Sequence, residues 1–328
     1  MSGFMRLMGA LLLAASLVTG SAVPGSAAES LKLGTLKFGT LNWLLDTIAA
    51  EGLEARHGFR IERVEFAAPN ALTVALQAGE VELVVSDWLW AMRRRAEGEA
   101  LAFAPYSSAL GALMAPRDAS LADVAGLKGK RIGVAGSALD KSWLLLRAAA
   151  RDALGGDLAS LAEPIYGAPP LLSEQLKLGR IDAVLTYWPF AARLDAAGFR
   201  RVVDVSELMA LLGIDPQPPL VGFVWREALG QTKGAALTGF FRAVAEANDI
   251  LKRSDAAWER LKPVMKAESD AEFERLRDYF RAGIPGPWGE AETRSAEKLF
   301  RILEEIGGPA LVGPRTRFDP ALFRGHQG

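Results

Sequence analysis

The chain has no cysteine in 328 residues. That excludes disulfides, thiolate metal sites, cysteine nucleophiles and a lipid anchor on an N-terminal cysteine. Histidine is nearly missing too, with only His57 and His326. A histidine-rich zinc site or a Ser-His-Asp triad therefore has little to draw on. Neither sign of charge is in excess, with 38 Lys+Arg against 39 Asp+Glu. Coating nucleic acid needs a basic face, so no nucleic-acid partner is expected. The cluster Arg93-Arg94-Arg95 is followed by Glu97 and Glu99 and reads as a solvated helix face. No apolar run reaches the ~20 residues of a membrane-spanning helix. The G-x-S-x-G, H-E-x-x-H, P-loop and dinucleotide-binding patterns are absent, as is EF-hand spacing. No catalytic residue, metal site or cofactor is assigned.

What is present is apolar residues, half of the chain, enough for a sizeable core and against extensive disorder. Residues 1–28 read as a secretory signal. Arg6 supplies the positive charge, Ala10 to Val18 the short apolar run, and Gly20, Pro24 and Gly25 break any helix. Ser26-Ala27-Ala28 then places small residues before a cleavage point at Glu29. The expected product is an exported chain of roughly 300 residues, long enough to form a core without disulfides.

The exported part alternates strand and helix patterns. Leu31–Leu36 and Ile61–Ala67 alternate apolar and polar residues, as strands do. Leu41–Arg56 and Ala71–Ala78 carry helical spacing, stopped by Gly58 and Gly79. Val81–Val85 is an apolar strand ending at Ser86-Asp87. Leu101–Pro116 is an extended crossing, after which the pattern restarts. It gives a short helix at Leu121–Leu127, a strand at Arg131–Ala135, a helix at Asp140–Ala153 and strands at Pro164–Tyr166 and Ile181–Thr186. LQAGEVELVVSDWLWAMR, from Leu76, lies over LKLGRIDAVLTYWPFAAR, from Leu176, and Trp43-Leu44-Leu45 lies over Trp143-Leu144-Leu145. Two blocks share one offset of about 100 residues, which is an internal repeat. The class is α/β with two similar lobes. The expected division is 29–110 for the first part of lobe 1, 111–216 for lobe 2, and 217–328 for a return to lobe 1 plus C-terminal helices. Gly307–Phe323 is loop-rich and is expected to wrap the surface.

In open α/β sheets ligands bind beyond the carboxyl ends of the strands. That rule selects the turns at 37–43, 86–90, 136–143 and 186–190. Five of the eight tryptophans fall there: Trp43, Trp88, Trp90, Trp143 and Trp188. Either they form flat walls of a cleft or they cap the cores of their lobes. Helix starts near Thr40 and Asp140 offer backbone N–H groups to an anion, with Lys37 and Lys141 near enough to add charge. Asp87 is either a helix cap or a carboxylate for a ligand's amine, and Asp140 is either a plain cap or part of a helix start that receives a polar ligand group.

LKLGTLKFG, ALQAGEVELVVSDW, LKGKRIGVAGSALDKSWLLL and EQLKLGRIDAVLTYWPFAARL together resemble the substrate-binding proteins of ABC importers. The nearest group is the nitrate/sulfonate/taurine type, similar in sequence to thiamine-precursor binders. The resemblance implies a two-lobed, type II periplasmic-binding fold that closes about a hinge on a small molecule. It also implies a periplasmic monomer that delivers its ligand to a permease with its ATPase. Pocket positions carry over to Phe38, Gly39, Asn42 and Trp43; to Ser86, Asp87 and Trp88; to Ser137, Asp140 and Lys141; and to Tyr187 and Trp188. The tryptophan-rich turns favour an organic ligand, sulfonate- or taurine-like or an amine-bearing ring, over a simple inorganic anion. Two alternatives are a pyrimidine- or thiamine-precursor enzyme on the same scaffold and a sensor for a membrane partner.

Overall fold

The computed structural model describes residues 28–323. All of the expected signal except Ala28, and His326, lie outside the described residues. The chain begins with β1 (Glu29–Leu36), α1 (Leu41–Ala50), α2 (Leu53–His57), β2 (Phe59–Phe66), α3 (Pro69–Ala78), β3 (Leu83–Asp87), α4 (Trp88–Ala96) and β4 (Leu101–Ser107). It then passes to a second unit of β5 (Gly111–Ala115), β6 (Arg131–Ala135), α5 (Lys141–Leu154), α6 (Leu158–Leu161), β7 (Glu163–Gly167) and α7 (Pro169–Lys177). That unit continues through β8 (Ala183–Tyr187), α8 (Trp188–Ala196), β9 (Arg200–Asp204) and α9 (Val205–Leu211). The return strand β10 (Val221–Arg226) is followed by α10 (Ala228–Thr232), α11 (Gly234–Arg253), α12 (Asp255–Met265), α13 (Asp270–Ala282) and α14 (Glu290–Val312).

Two five-stranded sheets share one order, β2-β1-β3-β10-β4 and β7-β6-β8-β5-β9. β1, β2 and β3 run parallel, as do β6, β7 and β8. In each sheet the fourth strand is antiparallel to both neighbours. That strand, β10 or β5, is the one that has just arrived from the other lobe. The sequence repeat is thus a repeat of topology. The extended segment expected at 101–116 is two strands, one in each sheet, so the crossing itself is only residues 108–110. Sheet pairing satisfies the backbone groups on both sides of it. The expected helix at Leu121–Leu127 shrinks to a 3-10 turn, Val124–Leu127, capped by Asp123. Nothing in the apolar pattern announces β9, because Arg200-Arg201 interrupts it. α9 does carry a signal: Asp204 and Glu207 form a capping box at its start.

The last hundred residues join the lobes. α12 packs on α1, and α13 packs on α8. α14 lies against both α5 and α4 and is broken at Gly308 (φ 59°, ψ −163°). Only glycine adopts such a conformation freely, and Pro309 follows without an N–H to continue the helix. Before the break, Lys298 Nζ donates to the Gly213 carbonyl (2.8 Å) and Glu305 pairs with Arg151 (3.1 Å). After it, Phe318 and Phe323 stand edge-on to Trp88, with centroids 6.5 and 5.9 Å away. Asp319 and Glu227 pair with Arg95 at 2.7 and 2.6 Å. Arg95 is therefore not on a solvated face; it ties the tail to α4. Beside the chain crossings at 108–110 and 212–220, the tail is a third link between the lobes, made by packing and polar contacts.

Candidate functional site

β1, β3, β6 and β8 each end in a turn that starts a helix: α1, α4, α5 and α8. Two contacts cross between the lobes at these four helix starts. Lys141 Nζ lies 3.2 Å from Asp87 Oδ2, joining α5 to α4. The rings of Trp43 and Trp188 meet edge-to-face at 6.0 Å, joining α1 to α8. The repeat places Trp43 over Trp143 and Trp88 over Trp188, so it relates α1 to α5 and α4 to α8. The two contacts therefore pair the four helix starts crosswise.

The electrostatics at the four starts differ. Asp87 caps α4, accepting from Trp90 N at 2.9 Å. Asp140 caps α5, accepting from Ser142 N (2.9 Å) and Trp143 N (3.3 Å). Thr40 and Tyr187, which precede α1 and α8, make no side-chain cap. At α1, Asn42 N and Trp43 N donate to the Gly39 and Thr40 carbonyls, and at α8 Trp188 N donates to the Leu110 carbonyl and Pro189 has no N–H, so Leu41 N and Phe190 N are what these two starts offer at the positive end of the helix dipole. The Tyr187 hydroxyl donates to Asp140 Oδ2 (3.3 Å). Burial raises the Asp140 carboxyl above its ordinary value, against the opposing pull of the Lys141 charge and its backbone donors. Burial, then the Asp140 charge, raises the Tyr187 phenol, which keeps it a donor. Gly136 (φ 97°) makes room for this pair: a Cβ there would stand 2.9 Å from Tyr187 Oη.

Several expected pocket residues instead shape the turns. Asn42 Nδ2 donates to the Leu36 carbonyl (2.9 Å), and Gly39 N donates to the same oxygen (2.9 Å). Ser137 Oγ accepts from Leu139 N (3.2 Å). Ser86 is half-buried in β3, paired with Gly222 of β10. Phe38 is 74% exposed at a turn tip, with Lys266 Nζ 4.4 Å from its ring. Asp46 pairs with Arg63 (2.6 Å).

The indole-walled cleft needs correcting. Trp88 and Trp143 are fully buried. Trp43 and Trp188 do come together, but in a closed cluster with Phe280 and Trp258, at centroid distances of 5.2–6.2 Å. Side chains in a first helical turn lean back towards the strand layer, and the tail supplies partner rings that cover them. Beside this cluster is a cavity of about 10 Å³, bordered by Tyr106, Trp188, Asn248 and Phe280, room for about one water. Tyr106 also hydrogen-bonds Thr40 across 3.4 Å at the start of α1. Tyr106, Asn248 and Phe280 carry no local signal, since they reach the site from elements far away in sequence. Among the described residues no group of three or more His, Asp or Glu could hold a metal ion. No helix among them is long and apolar enough to cross a membrane.

No protein-family model and no curated protein matches the chain. Solved structures do match. The periplasmic aliphatic sulphonate binding protein SsuA from Escherichia coli superposes with TM-score 0.71 at 21% identity, over 91% of this chain and 93% of that one. The chain has the two-lobed periplasmic-binding fold. The alkanesulfonate-binding protein SsuA from Xanthomonas axonopodis pv. citri, bound to MOPS, gives TM-score 0.65 at 21% identity, over 91% and 99%. The desulfurization enzyme DSZB gives 0.58 at 16%, over 87% and 96%. At these identities the likeness shows the fold alone.

Proposed function

We propose that this protein is the periplasmic solute-binding component of an ABC importer and that it takes a small organic sulfonate between its lobes. The observation that carries the reading is the Asp87–Lys141 pair across the lobes, set beside two helix starts without side-chain caps. A sulfonate would replace the Asp87 carboxylate on Lys141 and accept from Leu41 N and Phe190 N, the N–H groups those starts offer. The freed Asp87 carboxylate would then face an amine on the same ligand. The Xanthomonas neighbour's MOPS is a sulfonate that carries an amine, which supports this class. The Trp43–Trp188 contact parts as the lobes open and re-forms as they close. The signal-like segment at 1–28 supports export, and a permease with its ATPase is the partner that such a receptor needs.

The test is thermal denaturation of the purified protein with alkanesulfonates, aminosulfonates and sulfate. A ligand that binds only the folded form stabilises it by ~2.7 kcal/mol at a hundredfold excess over its dissociation constant. An organic sulfonate should therefore raise the melting temperature by several degrees, and the shift should shrink in Lys141→Ala. No shift with any sulfonate, or an equal shift in the variant, overturns the reading. Conversion of the ligand to a product would favour an enzyme, as the DSZB neighbour suggests for this scaffold.

A further inference from the structure

The C-terminal link between the lobes has two differently anchored parts. Before its break, α14 is held by lobe 2. It packs chiefly along α5. Lys298 reaches the carbonyl of Gly213, just past α9, and Glu305 pairs with Arg151 of α5. Gly307 lets the helix lie close to α5, since a Cβ there would stand 3.0 Å from Leu144 Cδ1.

The flanks of α14 are held by lobe 1. After the break, Asp319 pairs with Arg95 of α4, and Phe323 bridges to Phe103 of β4. Leu322 between them is fully buried. Ahead of α14, Trp288 stands edge-on to the same Phe103 (6.1 Å) and stacks on Phe323, with centroids 4.4 Å apart and ring planes at 19°. The two ends of α14 are thus pinned together on β4 of one lobe, while the helix between them lies on α5 of the other.

Each passage from flank to helix can bend. Residues 283–289 set Gly283, Gly286 and Gly289 around Pro285 and Pro287, and glycine frees the backbone between the prolines. At the other end, Gly308 has φ 59° and ψ −163°, a region reserved for glycine. Among the described residues, no neighbouring element comes within 4 Å of a Cβ placed there. The break is therefore not wedged open by a neighbour. Pro309 has no N–H to tie it to the turn before it. Phe300 meets Phe318 across the break at 6.1 Å, a ring contact that can slide.

We propose that α14 is a strap that travels with lobe 2 and swivels on its lobe 1 anchors, at residues 283–289 and at Gly308, as the lobes part. The lobes then move about three places, the two crossings and the strap, and the reach of the strap limits how far they separate. The inference rests on the lobe closure proposed above and not on the ligand.

The chain has no cysteine, so paired spin labels can be introduced without background. The experiment measures label-to-label distances by pulsed electron paramagnetic resonance in three double variants of the purified protein. Val74→Cys with Leu178→Cys reports lobe 1 against lobe 2. Arg301→Cys with Leu178→Cys reports α14 against lobe 2, and Arg301→Cys with Val74→Cys reports α14 against lobe 1. All three positions are exposed. Each pair is compared between the parent and Trp188→Ala or Lys141→Ala, which remove the two contacts between the helix starts. Lys141→Ala keeps the comparison available where Trp188→Ala does not fold. The 74–178 and 301–74 distances should each change by more than about 2 Å, the scale of a domain rearrangement, while the 301–178 distance holds. Gly308→Ala, added to the loosened variant, should shrink the 301–74 change. A 301–178 distance that follows the 74–178 distance, with 301–74 fixed, overturns the strap and leaves closure standing. A 74–178 distance fixed in both variants overturns closure and the strap with it. An undiminished 301–74 change in Gly308→Ala overturns the pivot.

Discussion

Trp88 and Trp188 hold equivalent places in the two lobes. Each opens the helix that follows the third parallel strand. Each donates its backbone N–H to a carbonyl of a crossing segment, Leu220 (3.3 Å) and Leu110 (3.1 Å) respectively. Their rings nonetheless meet different partners. Trp88 is sealed beneath Phe318 and Phe323 of the tail, whereas Trp188 reaches across to Trp43 of the other lobe. The residue before them differs too: Asp87 caps α4 and pairs with Lys141, while Tyr187 makes no cap and donates to Asp140. A duplicated topology decides where these side chains start. The C-terminal segment, which exists once, decides what they face.

The largest test of that contrast is Trp88→Ala. Emptying a fully buried indole site should cost about 3–5 kcal/mol of unfolding free energy, read by urea denaturation, with affinity in the folded fraction nearly intact. Trp188→Ala should instead loosen the lobes and raise the radius of gyration in solution scattering. Equal stability losses with no change in scattering would erase the distinction. Next in size, Lys141→Ala should lower sulfonate affinity by about tenfold or more. Its stability cost should stay within about 1 kcal/mol, because the ion pair is partly exposed.

A smaller effect is expected at the break in α14. Gly308→Ala places a Cβ in the left-handed region and should cost about 1–2 kcal/mol, measured by thermal denaturation. A cost near zero would mean that the third link does not depend on this kink. The smallest effect is pH-dependent. Arg147, 2.6 Å from Asp157, holds that carboxyl below its ordinary value of 3.8. Its stabilisation is complete above that value and is lost as pH falls through the lower folded value. Asp157→Asn should therefore cost on the order of 1 kcal/mol or less at neutral pH and little in strong acid. Asp140 has the opposite sign. Its carboxyl is raised by burial, so its ionisation removes stability as pH climbs from the ordinary value through the raised one. Asp140→Asn removes that ionisation and the Oδ2 acceptor of Tyr187, so the parent should gain stability relative to the variant as pH falls through the raised value.

Much of the architecture is legible in the sequence because the units are short and punctuated. Val81–Val85 and Ile181–Thr186 are apolar runs that stop at turn residues, and the common offset of their flanking blocks announces two similar lobes. Asp87 could be read as a cap or as a ligand carboxylate, and Asp140 as a cap or as part of a polar helix start; both are caps, with Asp87 also reaching across the lobes. The fate of the tryptophans was not legible. Periodicity places Trp88 at a helix start, but the rings that bury it, Phe318 and Phe323, come more than 200 residues later, in a stretch that reads as surface loop. Tyr106 and Phe280 reach the site in the same way, through tertiary packing that no local pattern encodes.

A crystal structure with an alkanesulfonate bound would test the central claim most directly. The account places the sulfonate oxygens between the lobes, on Lys141 Nζ and on Leu41 N or Phe190 N at the starts of α1 and α8, with the Asp87–Lys141 pair broken. A sulfonate found elsewhere, with that pair intact, would contradict it.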